Sequence, residues 1–567
     1  MDRQKTPLVS REVACRRPFA KPQCLECCDI TQWPAMFSEC SMRNIFLGIV
    51  ATVLVLSVIA GATYPELLWA WIVIGPIVAI GFYDFFQTKH SIPRNFPALG
   101  RMRYLMEFIR PEIYQYFIEN DTDGVPFDRD QRSIVYQRAK KVRDTVPFGT
   151  KEDVYGEGYE WVNHSMAPLT HHPKEMRVDI GGPDCKQPYS ASLLNISAMS
   201  YGSLSKNAVL ALNEGAKLGG FAHNTGEGGI TPYHDQGGGD LIWQIGTGYF
   251  GCRDHSGKFD AGLFSENAAR PSVKMIEVKL SQGAKPGHGG ILPAAKVTQE
   301  IAKIRNVPVG QDVLSPPGHA EFSTPIEMLE FIARLRDMSG GKPVGFKLCV
   351  GKRREFLAVC KAMHQTGITP DYIAVDGGEG GTGAAPLEFS NHIGAPLFEG
   401  LIFVHNALVG FSLRNKVKLI ASGKVSSGFG MLKLIALGAD ACYAARSMMM
   451  ALGCIQALKC NSNHCPVGVA TQDKGLMAGL VVSDKRQRVA NFHEETVQSF
   501  CEMLGAIGLH SPEELKPWHV MHRISQTETR HYGEMYDYLD NGELLKEPVP
   551  EEYRRAFEAS SADSFEH

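Results

Sequence analysis

The sequence predicts an α/β protein whose main domain is a (β/α)8 TIM barrel, preceded by two apolar helices that form a transmembrane hairpin. Short apolar runs of β type alternate with amphipathic helical runs through the long middle of the chain, and eight such strands can be counted between Leu193 and Ala445. Glycine-rich polar segments follow nearly every strand, as eight loops converging on one site require. An open doubly wound sheet is the alternative for the same alternation, and the converging loops favour the barrel.

Length, charge and cysteine content exclude several classes of protein. The chain has 567 residues and a formal net charge of −3, without a basic or acidic block, so no nucleic-acid partner is expected. The 57 glycines cluster, which indicates tight turns and close approach of the backbone to a ligand. The 14 cysteines do not form a secreted disulfide framework, and the body of the protein is therefore expected in a reducing compartment.

Residues 1–41 form a polar tail that contains several cysteines and shows no helical or strand period. We interpret this tail as an upstream extension of the reading frame, with Met42 as the first residue of the translated protein. In the alternative interpretation, the group Cys24, Cys27 and Cys28 is a metal or lipid-attachment site.

Residues 42–90 are predicted to form the transmembrane hairpin. Two uncharged apolar stretches, Ile45–Tyr64 and Leu67–Tyr83, are each long enough to cross a bilayer, and Pro65 and Glu66 separate them. Basic residues flank the pair on both outer sides, so the positive-inside rule predicts a two-pass inner-membrane protein with its barrel on the cytoplasmic side. A signal peptide is the competing interpretation of the first stretch, but no small-residue cleavage site separates it from the second.

The rest of the chain divides into three predicted segments. Residues 91–165 are interpreted as a linker and cap with one helix around Asp130–Asp144, residues 166–480 as the barrel, and residues 481–567 as a charged helical tail. The predicted barrel strands are Leu193–Ser200, Gly220–Thr225, Met275–Ser281, Gln311–Ser315, Val344–Val350, Tyr372–Asp376, Lys418–Ser422 and Ala441–Ala445. The predicted barrel helices include Lys206–Leu218, Ala294–Arg305, Ile326–Met338, Arg354–Gln365, Leu397–Leu413 and Phe429–Leu437.

Polar residues at the carboxyl ends of the predicted strands give the candidate site. The loops after the seventh and eighth strands of such barrels commonly bind a phosphate through backbone N–H groups. Lys347 lies in the apolar run VGFKLCV and points into the barrel, where an unpaired ammonium is costly. A cofactor anion is its predicted partner, and a structural salt bridge is the alternative. The candidate cofactor-binding residues are Met199, Ser200, Lys347, Asp376, Gly378, Ser422, Gly423, Lys424, Ala445 and Arg446.

Three closely spaced cysteines follow the eighth predicted strand. Cys454, Cys460 and Cys465 are separated by five and four residues, and Pro466 follows directly. Grouped thiolates are the ligands that an iron–sulfur cluster needs, and three of them suggest a three-iron cluster. The alternative is three structural cysteines in a buried helix and turn.

Five segments of the chain resemble, in the same order, the synthase domain of glutamate synthase. They are AMSYGSLS, NTGEGG, QGAKPGHGG, DGGEGGTGAAP and the cysteine run ending in CPVGVATQ, and they span roughly Asn195 to Gln472. The resemblance implies a barrel that binds FMN beside a [3Fe-4S] cluster held by the three cysteines. It also implies an oxidoreductase of the EC 1.4 class, in which 2-oxoglutarate and ammonia form 2-iminoglutarate and hydride from the flavin N5 gives L-glutamate.

The same resemblance assigns a keto-acid site. Glu227 and Lys285 match positions with catalytic roles, and Gln282 and Arg305 join them as substrate contacts. The residue types suit a dicarboxylic keto acid, because an arginine fork can hold one carboxylate and a lysine the other. Glu227 could hydrogen-bond the imine nitrogen or relay a proton to it.

The chain departs from the family pattern at several places. The segment KPGHGGILPA has His288 and Ile291 where the family has a carboxylate and a polar substrate contact, and SPPGHAE alters another loop at the mouth. No glutaminase domain and no glycine-rich NADPH fingerprint is recognisable in the sequence. Ammonia is therefore expected from outside, with a glutaminase partner as one source, and electrons from ferredoxin, another reductase or the membrane quinone pool.

Two other functions stay open on the sequence. A flavin and iron–sulfur dehydrogenase of a small amine or hydroxy acid could feed electrons to the membrane. The presence of Ile291 in place of the family's polar substrate contact motivates this hypothesis. A non-catalytic electron-transfer subunit is the third hypothesis. The retained keto-acid residues Glu227, Gln282, Lys285 and Arg305 argue against it.

Overall fold

The computed structural model describes residues 41–142 and 145–566, and the chain forms two compact units, Met1–Ile118 and Glu119–His567. The predicted cysteine group of the N-terminal tail lies outside the described residues. Part of the segment interpreted as a linker and cap belongs to the second unit, which begins at Glu119.

The first unit is helical throughout its described elements. Two of its helical stretches, Met42–Thr63 and Pro65–Phe86, are by length and composition apolar enough to cross a membrane. Trp71 Nε1 of the second stretch donates a hydrogen bond to Ser57 Oγ of the first, at 2.9 Å. The elements of this unit are Met42–Thr63, the 3-10 turn Pro65–Ala70, Trp71–Phe86, Ser91–Asn95, Arg101–Ile113 and the π-helical turn Tyr114–Ile118.

A closed barrel of eight parallel strands forms the centre of the second unit, as predicted. Each strand pairs with the next one along the chain, and the eighth pairs with the first. Nearly every strand residue is buried, because helices cover the outside while side chains fill the inside. The strands are β1 Leu194–Ile196, β2 His223–Asn224, β3 Leu241–Ile245, β4 Val273–Lys279, β5 Val344–Leu348, β6 Tyr372–Asp376, β7 Lys418–Ser422 and β8 Ala441–Ala444.

One predicted barrel strand is wrong, and one observed strand was not predicted. The run Gln311–Ser315 contributes only Val313–Leu314, which pairs antiparallel with Ile291–Leu292 in a ribbon outside the barrel. The barrel position is taken instead by β3, a fully buried run of five residues. The periodicity of a run this short does not separate a buried strand from a buried helical segment, so only closure of the sheet identifies it.

The helices of the barrel start and end where local chemistry dictates. Lys206–Gly219 begins at Ser205, whose side chain accepts from the backbone N–H of Ala208, and ends at Gly220 with a φ of +68°. The α-helices between β1 and residue 480 are Lys206–Gly219, Pro232–Gly237, Ala261–Ala268, Gln299–Arg305, Pro325–Met338, Arg353–Thr366, Leu387–His392, Leu397–Gly410, Gly428–Ala436, Arg446–Ala451 and Lys474–Ala478.

Segments on both sides of the barrel sequence pack onto it. The long helix Val482–Ile507 lies along Lys206–Gly219 and also contacts helix Arg129–Lys140. The region predicted as a helical tail also contains strands, since Val520–Arg523 and Thr529–His531 form a three-stranded sheet with Glu160–Val162. The other strands and α-helices are the ribbon Arg177–Ile180 with Tyr189–Ser192 and the helices Tyr532–Met535 and Glu551–Glu558, and the 3-10 helices are Pro173–Glu175, Ala294–Lys296, Pro512–Glu514, Pro517–His519 and Glu543–Leu545.

Candidate functional site

A cavity of about 550 Å³ opens at the carboxyl ends of the barrel strands. All eight strands or the loops that follow them contribute to its wall, as expected for the site-bearing face of such a barrel. Contributors in strand order include Ser197, Glu227, Gln244, Lys279, Lys347, Asp376, Ser422 and Tyr443.

One end of the cavity holds an ion pair between β2 and β4. Lys279 Nζ lies 3.0 Å from Glu227 Oε2, and both side chains are largely buried. Burial alone would raise the pKa of Glu227, but the charge and hydrogen bond of Lys279, followed by the charges of Lys285 and Arg305, lower it. Glu227 is therefore a carboxylate at neutral pH and accepts hydrogen bonds.

Lys285 lines the same end of the cavity on the loop after β4. Its ammonium donates a hydrogen bond to the carbonyl oxygen of Ala384 at 2.8 Å. Burial lowers the pKa of Lys285 to about 8, although the charge of Glu227 acts in the opposite direction. A cation with a pKa close to neutral can both hold a carboxylate and exchange a proton.

Arg305, predicted as a substrate contact, lies directly behind the cavity wall, next to the lining residue Ser200. Its side chain is buried, and Nη2 donates to the carbonyl oxygen of Tyr201 at 2.8 Å and to Ser200 Oγ at 3.3 Å. Its guanidinium also lies over the ring of Phe250, 5.1 Å from the centroid. Arg305 thus supports the loop after β1 from behind.

The other end of the cavity suits an anion. Lys424 follows β7 and Arg446 begins the helix after β8, and both line the cavity with Ser422, Gly423 and Ala445. Burial lowers the pKa of Lys424, and the neighbouring charge of Arg446 lowers it further. A bound dianion would offset the repulsion between these two adjacent cations, so these residues fit a phosphate group.

Lys347 and Asp376 lie between these two ends, at the floor of the cavity. Lys347 Nζ is 3.4 Å from Asp376 Oδ2, so the alternative predicted for Lys347, a salt bridge with a barrel carboxylate, is present. Burial would lower the pKa of Lys347, but Asp376 and then Glu277 raise it and keep the lysine charged. Its ammonium still faces the cavity, where it can also meet an anionic edge of a ligand.

A buried polar network holds this floor in place. The fully buried carboxylate of Glu277 accepts hydrogen bonds from Asn224 Nδ2 at 2.8 Å, Gln244 Nε2 at 2.7 Å and Tyr443 OH at 3.2 Å. These donors come from β2, β3 and β8, so the network fixes strands on several sides of the barrel.

Cys454, Cys460 and Cys465, which follow β8 and its helix, also line the cavity. Burial raises the pKa of Cys454 to about 11, and the two other thiols act in the same direction, which indicates that the three lie near one another. Within residues 41–142 and 145–566, no three His, Cys, Asp or Glu side chains are arranged so as to hold a metal ion. The residue types suit an iron–sulfur cluster, and the arrangement of the thiols does not by itself define one.

The structure brings most of the predicted site residues to one cavity. Arg305 and Gly378 are absent from its wall, and the N–H of Gly378 donates instead to the carbonyl oxygen of Ala395. Sequence reasoning missed Lys279 and Gln244. Lys279 carries the same signal as Lys347, a lysine within an apolar strand, and its register places the two side by side. The predicted residues that line the cavity are Met199, Ser200, Glu227, Gln282, Lys285, Lys347, Asp376, Ser422, Gly423, Lys424, Ala445, Arg446, Cys454, Cys460 and Cys465.

Comparison with known proteins shows the family of the chain. The family model described as "Conserved region in glutamate synthase" matches residues 166–510. The glutamate synthase large subunit-like protein YerD of Bacillus subtilis is 38% identical over 523 residues, which are 85% of this chain and 97% of the relative. The archaeal glutamate synthase [NADPH] of Methanocaldococcus jannaschii is 36% identical over 57% of this chain and 60% of its own length.

Among solved structures, a mandelate oxidase variant overlaps 76% of this chain and 99% of its own, with 15% identity and a TM-score of 0.39. From the family match and the Bacillus relative, together with the barrel and its cavity, the chain belongs to the glutamate synthase family, in its synthase-domain branch.

Proposed function

We propose that this protein is an FMN-dependent oxidoreductase that reductively aminates a 2-keto acid, which in the family reaction converts 2-oxoglutarate to L-glutamate. One observation carries the proposal: a single cavity joins an anion-binding end at Lys424 and Arg446 to an end built from Glu227, Lys279 and Lys285. The first end suits the phosphate of a flavin. The second end suits a carboxylate of the substrate and a nitrogen atom whose protonation state changes during the reaction.

FMN fits the donor set between these ends. Its phosphate would be held by Lys424, Arg446 and the N–H groups near Gly423, and Lys347 would face the ring system. Bound there in its reduced form, FMN supplies the hydride for reduction of an imine carbon.

The residues at the keto-acid end have separate roles in this proposal. Lys285 holds the carboxylate next to the carbonyl group and, with its pKa near 8, exchanges a proton with the nitrogen. Glu227 stays ionised and accepts hydrogen bonds from the N–H groups of ammonia and the imine. Lys279 holds Glu227 in place, and the Gln282 side chain lines the wall beside it.

The overall reaction balances with two external supplies. A C–N bond forms from the keto acid and ammonia, and the carbonyl oxygen leaves as water. Two electrons and two protons then convert the imine to the amino acid. The electrons come from a donor such as ferredoxin or a reductase, and the ammonia comes free or from a glutaminase partner.

We further propose that Cys454, Cys460 and Cys465 bind a [3Fe-4S] cluster. Their spacing and their shared position on the cavity wall support it. The proposed membrane anchoring, with the barrel on the cytoplasmic side of the inner membrane, rests on the two apolar helices and on the basic residues that flank them.

An anaerobic titration tests the central proposal. Detergent-solubilised protein is reduced, and flavin absorbance is followed while 2-oxoglutarate or another 2-keto acid is added with and without ammonia. We expect flavin reoxidation only when both compounds are present, with the matching amino acid as the product. If the reduced flavin is not reoxidised by any pair of keto acid and ammonia, the proposal is refuted.

A further inference from the structure

An amphipathic helix, Arg101–Ile113, follows the two apolar helical stretches of the first unit. Apolar residues recur in it at i, i+3, i+4, i+7 and i+11, which places them on one face. Several of them are open to solvent, since Met102 is 53% exposed, Leu105 49% and Met106 47%. A contiguous exposed apolar face marks a surface that binds a partner or a membrane. We call this face the apolar stripe, and its residues are Met102, Leu105, Met106, Ile109 and Ile113.

Exposed aromatic residues extend this surface beyond the helix. The π-helical turn Tyr114–Ile118 comes directly after Ile113, and its residues Tyr114, Tyr116 and Phe117 are all exposed. Tyrosine has an apolar ring and a polar hydroxyl group, and it is enriched where the apolar core of a bilayer meets the lipid headgroups. The turn therefore favours the same kind of environment as the apolar stripe.

The start of the helix is tied to the end of the second apolar stretch. Arg101 donates through Nε to Asp84 Oδ2 at 2.9 Å and through Nη2 to Asp84 Oδ1 at 2.8 Å. The N–H of Ala98 donates to the same carboxylate at 3.3 Å. Asp84 lies two residues before Phe86, where the stretch ends. If that stretch crosses a membrane, this contact places the beginning of the helix at the membrane surface.

The charges of this segment suit an anionic surface. Arg103 and Arg110 are about two helical turns apart, so they lie on one flank of the apolar stripe. The Arg103 side chain is 62% exposed and lies 3.8 Å from Glu107, too far for a strong pair. Arginines beside a membrane are attracted to anionic headgroups. Between residues 87 and 110 the sequence has one acidic residue, Glu107, and the basic residues Lys89, Arg94, Arg101, Arg103 and Arg110.

We infer that Arg101–Ile113 and the turn after it form a lipid-binding surface that lies in the headgroup region of an anionic membrane leaflet. The apolar stripe faces the acyl chains, and Arg103 and Arg110 face the phosphates. This inference rests on the proposed membrane anchoring and adds a second contact with the bilayer to the hairpin. A bilayer meets both requirements of the helix, an apolar phase on one face and anions at its flank, at the position that the Arg101 and Asp84 contact fixes.

Two methionines of the apolar stripe are natural reporters of its environment. The full chain is placed in nanodiscs of phosphatidylcholine and phosphatidylglycerol, and oxidation by hydroxyl radicals is followed by mass spectrometry. Met166, which is fully exposed, is the internal reference. A stripe open to water predicts that Met102 and Met106 oxidise at about half the rate of Met166, in proportion to their exposed fractions. We expect them to oxidise at least about tenfold more slowly than Met166, because lipid excludes water from them.

A photoreactive phosphatidylglycerol with a diazirine on its acyl chain identifies what covers the stripe. We expect adducts on the peptide that contains Arg101–Ile113. Slow oxidation of both methionines without lipid adducts would overturn the inference, because a protein surface would then be the cover. Arg103→Gln with Arg110→Gln should lower the yield of these adducts at least about twofold, and an unchanged yield would overturn the role of the two arginines.

Leu105→Glu with Phe117→Glu tests the stripe itself. Both side chains are exposed, so the substitutions should not unfold the chain. Met102 and Met106 should then oxidise at about half the rate of Met166, as their exposed fractions require. Glu107→Gln is the matched control, since Glu107 is an exposed residue of the same helix outside the stripe, and it should leave both rates unchanged. Continued protection in the double variant would overturn the inference.

The same nanodiscs separate failure of this inference from failure of the proposed anchoring. A chain that stays with the nanodisc while Met102 and Met106 oxidise at about half the rate of Met166 would overturn the lipid-binding surface and leave the hairpin in place. A chain that does not stay with the nanodisc would refute both.

Discussion

Arg446 offers a direct test of where the cofactor phosphate binds. It starts the helix after β8, lines the cavity, and donates through Nη2 to the carbonyl oxygen of Glu379 at 2.6 Å. Its guanidinium lies over the ring of Phe127, 5.0 Å from the centroid, so the side chain is held in place before any ligand arrives. Replacement by methionine keeps much of the apolar stem and removes the charge.

The expected loss follows from the interaction that is removed. A hydrogen bond to a charged group contributes about 1.5–3 kcal/mol, which corresponds to about a 10- to 150-fold increase in Kd for FMN. Burial lowers the pKa of Lys424 most, and Arg446→Met removes the smaller contribution from the neighbouring charge, so the remaining lysine should still contact the phosphate. The double variant Arg446→Met with Lys424→Met should therefore lose more than either single change.

Quenching of FMN fluorescence on titration with protein stripped of flavin measures these Kd values. Lys352→Met serves as the control, since Lys352 lies on the loop after β5 at the same end of the barrel and its side chain is 69% exposed. It should leave the Kd within about twofold, as expected for a screened surface charge. A Kd for Arg446→Met that matches the control would show that the phosphate binds elsewhere.

Four further outcomes are expected. The affinity for the keto acid, measured by calorimetry, should be constant below about pH 8 and fall about tenfold per pH unit above it, where the Lys285 ammonium deprotonates. Lys285→Arg should show no such fall. A constant affinity across this range in the unsubstituted protein would contradict the role of Lys285 as the carboxylate-binding cation. Cys465→Ser should abolish a three-iron EPR signal while flavin absorbance persists, and an unaltered signal would exclude that thiol as a ligand. Arg336→Met leaves the buried carboxylate of Asp371, 3.0 Å away, without its charged partner, and should lower the free energy of unfolding in denaturant by about 3–5 kcal/mol. The control Arg334→Met, at an arginine whose side chain is 51% exposed, should lower it by less than about 1 kcal/mol. Equal losses in the two variants would show that burial of the ion pair does not matter. The full chain should sediment with membranes and be released by detergent but not by high salt, so release by salt would refute the transmembrane hairpin.

Some parts of the site follow from local sequence. Lys347 could be assigned to the barrel interior because it lies within an apolar strand, and the alternation of side chains along a strand gives its direction. The loops after β7 and β8 could be assigned to an anion because that position recurs in barrels of this type. The resemblance of five ordered motifs supplied the family, which the match over residues 166–510 confirms.

Other parts depended on closure of the barrel. Glu227 and Lys279 are far apart along the chain, and nothing in either segment says that their side chains meet at 3.0 Å. Arg305 carries the residue type that a carboxylate requires, and its hydrogen bonds to Tyr201 and Ser200 are formed with the loop after β1, far from it in sequence. Such partnerships are set by which strands and loops become neighbours, and residue type alone cannot reveal them.

The sequence by itself thus determined the alternation of strands and helices, the glycine-rich loops at the strand ends, and the set of charged residues available to a site. Periodicity and residue chemistry are local properties, so they can be read along the chain. Only the tertiary structure decided that Leu241–Ile245 completes the barrel in place of Gln311–Ser315, and that Lys279 and Lys347 are each paired with a carboxylate. The physical reason is that hydrogen bonding between strands and neutralisation of buried charge depend on residues distant in sequence that only the closed barrel brings together.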